Sequence, residues 1–299
     1  WFLKTSQFRK ELLVRGREFE WHPDYMRSRY ENWVNGLVGD WCISRQRFFG
    51  IPFPVWYPLG KDGEPDYKHP ICPDESQLPI DPSVDVPDGY TENQRAQQGG
   101  FVGDSDVMDT WATSSLTPQI AGGWLSDPEL FAKLFPMDLR PQAHDIIRTW
   151  LFSTVLRAHL EHNTVPWKHA AISGWVLDPD RKKMSKSKGN VVTPTALLEQ
   201  YGSDGVRYWA ANGRPGSDTA IDAGKMKVGR RLATKILNAS KFALLQVEPK
   251  GEVTVALDRG MLSNLEALVK VVTAKLEAYE YANALDQTEK SFWAFCDNY

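Results

Sequence analysis

The spacing of apolar residues in the first third of the chain predicts a helix, then an extended segment, then a long irregular stretch. After Pro23, which suits the first turn of a helix, apolar side chains recur at helical spacing over residues 24–38. Residues 51–57 (IPFPVWY) are predicted to be extended, because the paired prolines exclude a helix and the aromatic residues favour a strand. Residues 58–106 are crowded with Pro, Gly and Asp, and the length of this stretch predicts a functional insertion.

An alternation of helix and strand follows in the middle of the chain. Within residues 138–162, Ile146, Trp150, Leu151 and Val155 have a spacing that predicts a helix packed on a sheet. Residues 169–178 (HAAISGWVLD) form an apolar run typical of a buried parallel strand. Since this strand leads into a lysine-rich loop, we expect the loop at the carboxyl edge of the sheet, where open α/β sheets bind ligands. A helix is predicted over 194–201, with Thr193 as its N-cap and Gly202 as its end.

Beyond Asp222 the pattern is helical. Residues 223–247 combine an apolar stripe with six cations and no acidic residue, the cations being Lys225, Lys227, Arg230, Arg231, Lys235 and Lys241. A solvated helix face explains such a charge run in the simplest way, and contact with an RNA backbone is the alternative. Residues 257–299 continue at helical spacing, so the sequence predicts an α/β part followed by an all-helical appendage.

Composition narrows the class of protein. The 299-residue chain is 42% hydrophobic and 24% charged, so it can bury a large core, and we expect two or more domains. No apolar run reaches membrane-spanning length, no signal peptide is found, and three widely spaced cysteines favour neither a disulfide framework nor a zinc knuckle. We therefore expect a cytoplasmic protein with no membrane partner. The formal net charge of −3 means that nucleic-acid binding would depend on local basic patches.

The densest candidate chemistry lies in residues 178–194 (DPDRKKMSKSKGNVVTP). Five cations fall within the eight residues 181–188, together with the hydroxyls of Ser185 and Ser187, and Gly189 follows them. Cations, hydroxyl donors and a flexible backbone suit a polyphosphate ligand, and a solvated charged loop is the alternative.

The pentapeptide Lys183-Met184-Ser185-Lys186-Ser187 resembles the KMSKS signature of the class I aminoacyl-tRNA synthetases. The resemblance implies a Rossmann-type α/β catalytic domain that uses ATP and Mg²⁺, with Lys186 as the main catalytic cation and Lys183 in support. It further implies an ATP-binding set made up of Lys186, Met184, Ser185, Ser187, Gly174, His144 and Asp145. For His144, an ordinary structural histidine is the alternative.

Three other stretches resemble the valine-specific members of that class, namely GDWCISRQRFFGIPFPVWY at 39–57, MDTWATSSL at 108–116 and AHDIIRTWLFSTV at 143–155. This resemblance implies that Trp111, Ile146 and Trp150 wall a valine side-chain pocket, with ordinary core residues as the alternative. The expected reaction is ATP-dependent formation of valyl-adenylate, followed by transfer to tRNA(Val). An isoleucine-type ligase and a non-catalytic RNA-binding fragment are the other hypotheses.

The resemblance also implies a domain organisation for the chain. Residues 1–40 would end an inserted editing-domain connection, and residues 41–221 would form the C-terminal part of the catalytic domain, with 58–106 as its connective segment and 183–187 as its loop. Residues 222–299 would form a helical stem-contact region and begin an anticodon-binding domain. In that region, the residues expected to bind tRNA are Lys225, Lys227, Arg230, Arg231 and Lys235.

Two expectations concern what the sequence lacks. Neither a HIGH-type ATP motif nor a complete editing domain is found, so we expect this chain to be a fragment that is inactive by itself. We expect the parent protein to be a monomer. No metal site is predicted. His159 and His162 could share a helix face, but no third ligand is near in sequence, and residues 58–106 contain only Cys72.

Overall fold

Helices form where apolar side chains recur at three- and four-residue intervals, and the longest lie in the second half of the chain. The computed structural model describes residues 1–245 and 251–299. Its α-helices are α1 Arg9–Glu18, α2 Arg27–Asn35, α3 Thr110–Ser114, α4 Thr117–Gly122, α5 Pro128–Leu134, α6 Phe152–His162, α7 Pro194–Ala211, α8 Ala223–Leu244, α9 Ala256–Glu277 and α10 Tyr281–Asn298. Within the described ranges, none of them is both long and apolar enough to span a membrane.

The strands are short. They are β1 Phe2–Leu3, β2 Glu20–His22, β3 Trp41–Cys42, β4 Ser44–Arg45, β5 Trp56–Pro58, β6 Phe101–Gly103, β7 Val107–Met108, β8 Met137–Ala143, β9 Trp167–Ser173, β10 Val176–Leu177 and β11 Thr219–Ala220. Strands β1 and β3, β4 and β7, and β5 and β6 form antiparallel pairs, whereas β10 and β11 are parallel. A three-stranded sheet has the order β2-β9-β8.

The first of two structural units has a helical core. This unit comprises Trp1–Phe19, Arg27–Asp138 and Ile146–Lys168. Helix α1 packs against α2 and α6, and Leu12, Tyr30, Val34 and Val155 are buried at that contact. The Tyr30 hydroxyl donates a hydrogen bond to the Leu12 carbonyl at 2.9 Å, so the buried phenol is satisfied. The amphipathic helix predicted over 24–38 is confirmed as a 3₁₀ turn followed by α2.

Residues 58–106 form the irregular stretch that the sequence predicts. Strands β5 and β6 pair near its two ends, and the regular structure between them is limited to 3₁₀ turns at Glu75–Gln77 and Glu92–Gln94 in the part of the chain that is described. Phe53, Val55 and Tyr57 form a small apolar cluster beside β5. This cluster anchors the stretch in the first unit.

The second unit carries the parallel strands. It comprises Glu20–Met26, Leu139–Asp145 and His169–Tyr299. Strands β2 and β9 run parallel, with Glu20 opposite His169 and His22 opposite Ala171. Ala170 and Ile172 of β9 are fully buried, which confirms the buried parallel strand predicted after residue 169. The strand is interrupted at Gly174 and resumes as β10, which pairs with β11.

Helices α7 and α8 pack closely through two glycines. A Cβ atom at Gly205 would lie 2.7 Å from the Met226 carbonyl oxygen, and one at Gly229 would lie 2.4 Å from the Cβ of Tyr208. Gly202 has a φ of 74° inside α7 and divides it, which confirms the helix break predicted there. The contact positions α8, which carries most of the basic residues singled out from the sequence.

The segment 138–162 contains the predicted helix and, before it, a strand that was not predicted. Strand β8 occupies its first residues, and a 3₁₀ turn at His144–Ile146 and a π-helical turn at Ile147–Leu151 precede α6, so the α-helix begins only at Phe152. Arg140 and Gln142 are buried at alternate positions of β8, and the Arg140 Nε donates to the Gln142 Oε1 at 3.2 Å. The strand was missed because its inward-facing residues are polar, whereas strand patterns are usually recognised from alternating apolar residues.

Candidate active site

The lysine-rich loop of the second unit begins with a tight turn. After β10, the backbone N–H of Asp178 donates to the Lys182 carbonyl at 2.9 Å, and the Lys182 N–H donates to the Asp178 carboxylate at 2.7 Å. Arg181 adopts a left-handed conformation with a φ of 63° at the tip of the turn. The turn returns the chain beside β10, where Lys183 bridges to Leu177.

Asn190 holds the two sides of the loop together. Its side-chain Nδ2 donates to the Asp178 carboxylate at 2.8 Å, and its side-chain Oδ1 accepts from the Ser185 backbone N–H at 2.9 Å. The hydrogen bond from Asn190, followed by that from the Lys182 N–H, lowers the pKa of the Asp178 carboxyl below its ordinary value. Sequence reasoning missed both residues, although short polar side chains on either side of a glycine-containing loop are typical of such contacts.

Met184 attaches the middle of the loop to the core. Its side chain packs against the buried cluster of Tyr201, Trp209, Ile221 and Met226. Its sulfur also accepts a hydrogen bond from the Val192 N–H at 3.4 Å. The methionine of the pentapeptide therefore has a packing role, because it holds the loop while the neighbouring lysines stay exposed.

Lys183 and Lys186 occupy different surroundings. The Lys183 Nζ lies 3.9 Å from the centroid of the Trp175 ring, which is a cation–π geometry. Lys186 begins a short 3₁₀ turn that runs to Lys188 and ends at Gly189, whose φ is 66°. Among the described residues, neither lysine forms an ion pair with a carboxylate. Both ammonium groups can therefore bind an anionic ligand.

The aromatic contact of Lys183 extends to His144. The His144 and Trp175 rings lie 4.7 Å apart, and the His144 Nε2 is 3.7 Å from the Asp218 carboxylate. That carboxylate also accepts a hydrogen bond from the backbone N–H of Trp175 at 2.8 Å. The structure thus places His144, Trp175, Asp218 and Lys183 in one cluster, whereas the neighbouring Asp145 is exposed. Trp175 and Asp218 were not singled out from the sequence.

Gly174 is required by the backbone that faces it. A Cβ at this position would lie 2.3 Å from the Ser217 carbonyl and 2.4 Å from the Asp218 N–H. No larger residue fits without moving the segment that carries Asp218. The hydroxyls of Ser185 and Ser187 lie 3.2 Å apart on the exposed side of the loop, where both can donate to a ligand.

The three residues predicted to wall an amino-acid pocket belong to the first unit. Trp111 follows Asp109, whose carboxylate caps α3 through the Trp111 N–H and forms an ion pair with Arg45. Trp111 lines a cavity of about 640 Å³, whose other walls include Trp33, Trp41, Arg45, Asp109 and Phe152. The Trp150 indole donates to the Ser114 carbonyl at 3.1 Å, which ties the turn before α6 to α3.

Ile146 is half-buried at the start of that turn, while Ile147 beside it is fully buried. Ile146 therefore retains an accessible face, as a pocket residue needs, and Ile147 serves the core. The sequence alone does not distinguish these two adjacent isoleucines.

The basic face of α8 forms an open groove in the second unit. The groove has a volume of about 920 Å³ and is lined by Gln200, Tyr201, Lys227, Arg230, Arg231 and Lys235. The Arg230 guanidinium donates to the Gln200 carbonyl at 3.0 Å, which holds one cation in place. Lys225 instead lines a second depression, together with Arg181 and Arg214. Four of the five predicted tRNA-binding cations are thus brought together, and the fifth faces another surface.

His159 and His162, the pair weighed as metal ligands, are engaged separately. The His159 Nδ1 accepts a hydrogen bond from the Arg15 guanidinium at 3.2 Å. The His162 ring packs among Trp124, Phe131 and Phe135. These contacts are those of structural histidines.

The comparisons with known proteins agree on one family. The family model described as tRNA synthetases class I (I, L, M and V) matches residues 1–222. The valine–tRNA ligase of Thermobifida fusca is 63% identical over 308 residues, which cover 100% of this chain and 35% of that protein. The valine–tRNA ligase of Salinispora tropica is 62% identical and is matched over 100% of this chain and 36% of its own length. The chain therefore spans about a third of the length of these relatives.

Solved structures share the fold at low sequence identity. The Agrobacterium radiobacter K84 agnB2 LeuRS, in a ternary complex with tRNA and LeuAMS, superposes with a TM-score of 0.69 at 20% identity, covering 87% of this chain and 37% of that chain. The Mycobacterium tuberculosis methionyl-tRNA synthetase in complex with methionyl-adenylate gives a TM-score of 0.67 at 22% identity, covering 96% of this chain and 49% of that chain. These similarities show the fold alone, a mixed α/β arrangement followed by helices.

Proposed function

Since the chain belongs to the class I tRNA synthetases, we propose that it carries part of the machinery of a valine–tRNA ligase. The reaction would be the activation of valine by ATP to valyl-adenylate, with release of pyrophosphate, and the transfer of valine to tRNA(Val). The observation that supports this function most directly is the loop at 183–187, where the backbone is held by Asn190 and Met184 while the lysines stay exposed.

The loop suits the pyrophosphate that leaves during activation. Lys186 would bind the β- and γ-phosphates, and Lys183 would leave the Trp175 ring to assist it. This movement of Lys183 from the ring to a phosphate is favourable, because a cation–π contact at an exposed site contributes about 0.5–1 kcal/mol, less than a charge-assisted hydrogen bond to phosphate. Since the leaving group gains charge in the transition state, both lysines would accelerate the step more than they would strengthen ATP binding.

The surrounding residues would position the nucleotide. His144 is held between Trp175 and Asp218, so its ring can contact the adenylate in a defined orientation. Asp145 is exposed beside it and can accept a hydrogen bond from a ribose hydroxyl or an amine. The Ser185 and Ser187 hydroxyls can donate to phosphate, and Gly174 and Met184 would lie near the adenine.

Mg²⁺ is the expected companion of ATP. The loop presents ammonium groups and hydroxyls, which suit phosphate oxygens better than a cation. A magnesium ion would therefore be held by the nucleotide itself, and we assign it no protein ligand.

The first unit would supply the valine pocket. Trp111 lines its cavity, Trp150 is fixed by the Ser114 carbonyl, and Ile146 keeps an accessible apolar face. An apolar pocket of this kind excludes isoleucine by size, but it discriminates poorly against threonine, which is nearly isosteric with valine. We therefore expect measurable threonine activation, with correction by an editing site elsewhere.

Amino-acid-dependent pyrophosphate exchange tests this function. A full-length ligase that carries this sequence should respond to valine, respond to threonine about a hundredfold less efficiently, and barely respond to isoleucine. Ile146→Ala should relax the exclusion of isoleucine, whereas Ile147→Val, a conservative change in the core, should leave the preference unchanged. A wild-type enzyme that prefers isoleucine would indicate an isoleucine-type ligase instead, and unaltered isoleucine activation in Ile146→Ala would remove this residue from the pocket.

The groove on α8 would bind the tRNA backbone. Lys227, Arg230, Arg231 and Lys235 line one surface, and an anionic polymer is the ligand that a row of exposed cations favours. Lys225 would contact a separate part of the tRNA or of the loop region, since it lies beside Arg181.

A further inference from the structure

A group of metal-ligand side chains lies on the parallel strands of the second unit, apart from the lysine loop. In the register of β2 and β9, Glu20 lies opposite His169, and Glu20 and His22 are two residues apart on one strand. Residues at this spacing point to the same face of a sheet, so all three side chains project from one surface. Among the described residues, this is the one group of three or more His, Cys, Asp or Glu side chains whose ligand atoms converge.

The ligand atoms lie within about half an ångström of the spacing of a tetrahedral metal site. The His22 Nε2 lies 3.1 Å from the His169 Nδ1, and the Glu20 Oε2 lies 4.0 Å from the first nitrogen and 3.6 Å from the second. Zn²⁺ binds nitrogen and oxygen at about 2.0–2.1 Å, so two ligands of a tetrahedral ion are separated by about 3.3–3.4 Å. The glutamate, whose side chain is 73% exposed, can make the small movement that the site requires.

The Tyr279 ring packs against the two histidines from the turn between α9 and α10. Its ring centroid lies 4.3 Å from that of His22 and 5.5 Å from that of His169. Tyr279 has a left-handed backbone, with a φ of 58°, in the turn between α9 and α10. A bulky residue in this conformation persists only where its surroundings hold it, and here the two imidazoles are its ring contacts.

We propose that Glu20, His22 and His169 bind one divalent transition metal, best matched by Zn²⁺, which fastens β2 to β9 beneath the α9–α10 turn. Two imidazoles and a carboxylate are a ligand set that Zn²⁺ uses in proteins, and the exposed side of Glu20 leaves the fourth position to water. A single hydrogen bond between the imidazoles would account for the contact of His22 with His169. It would not account for the approach of the glutamate to both nitrogens.

Calorimetric titration of the full 299-residue chain, free of any affinity tag and of metal, with Zn²⁺ tests the proposal. We expect one ion per chain. His22→Ala and His169→Ala should each weaken binding by more than about 100-fold, because even a residue that only orients a ligand costs about 10–100-fold when changed. Glu20→Gln keeps the shape of an exposed side chain and should also weaken binding.

His69→Ala is the matched control. The His69 Nδ1 lies 2.7 Å from the Asp66 carboxylate, so this exposed pair offers an imidazole and a carboxylate without a converging third ligand. Its loss should leave the Zn²⁺ affinity unchanged.

Thermal unfolding gives a second readout. Zn²⁺ should raise the melting temperature of the wild type and of His69→Ala, since a ligand that binds the folded state stabilises it, and at the same Zn²⁺ concentration it should raise that of Glu20→Gln by less. Wild-type protein without saturable Zn²⁺ binding overturns the proposal. Equal affinity in Glu20→Gln and His69→Ala overturns it as well, even if the histidine variants do not fold.

Discussion

At the scale of single residues, the two lysines of the loop are held in different ways. The Lys183 ammonium rests on the Trp175 ring, whereas Lys186 extends from an exposed 3₁₀ turn. To bind a phosphate, the Lys183 ammonium would have to leave the Trp175 ring, whereas the Lys186 ammonium is already exposed. This difference makes Lys186 the better candidate for the main catalytic cation.

We predict that Lys186→Ala, in a full-length valine–tRNA ligase carrying this sequence, lowers the rate of valyl-adenylate formation. The loss should correspond to about 2–4 kcal/mol, as for removal of one preorganised group that stabilises developing charge, with little change in valine binding. Single-turnover kinetics measures it. Lys182→Ala is the control, because Lys182 lies 3.9 Å from Asp180 and outside the pentapeptide. An equal rate for the two variants would exclude Lys186 from the mechanism.

Asn190 provides a prediction about pH. Since its hydrogen bond is the main cause of the lowered pKa of Asp178, Asn190→Ala should raise that pKa toward the ordinary value. A carboxyl with a lowered folded-state pKa stabilises the fold above its unfolded pKa, and this stabilisation is lost as the pH falls through the folded value. Loop amides should therefore lose protection from hydrogen exchange at a higher pH in Asn190→Ala than in the wild type. Identical acid profiles would show that Asn190 does not control the carboxyl.

At the scale of secondary-structure elements, the contact between α7 and α8 determines where the basic groove lies. The contact depends on Gly205 and Gly229, each of which faces an atom of the opposite helix at less than ordinary contact distance for a Cβ. Met226, whose carbonyl oxygen faces Gly205, is fully buried, while the cations around it remain exposed. Helix α8 is thus fixed by its small and apolar residues, and its cations face solvent.

Gly229→Ala should destabilise the protein by about 1–3 kcal/mol, as expected when an added methyl group forces close-packed helices apart. Chemical denaturation measures the free energy of unfolding. Gly260→Ala makes the same change in α9, where an added Cβ would have nothing within 4 Å. This control should stabilise the protein by up to about 1 kcal/mol, because alanine favours a helix more than glycine does. Equal effects of the two changes would show that the helix contact tolerates a side chain.

The groove predicts how tRNA binding depends on salt. Lys227→Ala and Arg231→Ala should each reduce the slope of log affinity against log salt concentration by about one for each lost phosphate contact. Filter binding at several salt concentrations measures this slope. Lys241→Ala lies on the same helix but outside the groove lining and should leave the slope unchanged. If all three variants behave alike, tRNA binds elsewhere.

At the scale of the whole molecule, the chain combines two units that would supply different parts of one reaction. The first unit contains the cavity lined by Trp111, and the second contains the lysine loop and the basic groove. The chain nevertheless spans 35% of the length of the Thermobifida fusca relative, and it contains a sequence that resembles the KMSKS motif but none that resembles the HIGH motif. The loop would hold the phosphates from one side only.

We therefore predict that the 299-residue chain alone does not catalyse valine-dependent pyrophosphate exchange. Transition-state stabilisation requires that all phosphate-binding groups be positioned together, and a single loop does not achieve this. The full-length ligase is the positive control in the same assay. Valine-dependent exchange by the purified chain would contradict the prediction.

Local features of the fold were accessible from the sequence. The pentapeptide at 183–187, the break at Gly202, the helices after Asp222 and the buried strand after residue 169 each depend on neighbouring residues, and each is present in the structure. Their signals are local because backbone conformation and apolar spacing are set within a few residues. The resemblance to class I synthetases likewise rested on contiguous motifs, and the family match over residues 1–222 confirms it.

The tertiary structure alone decided which distant residues meet. His144, Trp175 and Asp218 are separated by dozens of residues, as are Glu20 and His169, and in each case strand pairing and the turns that follow it bring them together. Helix packing likewise placed four basic residues of α8 in one groove and turned Lys225 toward another surface. Periodicity identifies which face of an element is buried, but it carries no information about the element that covers that face, because burial is favourable against any complementary apolar surface.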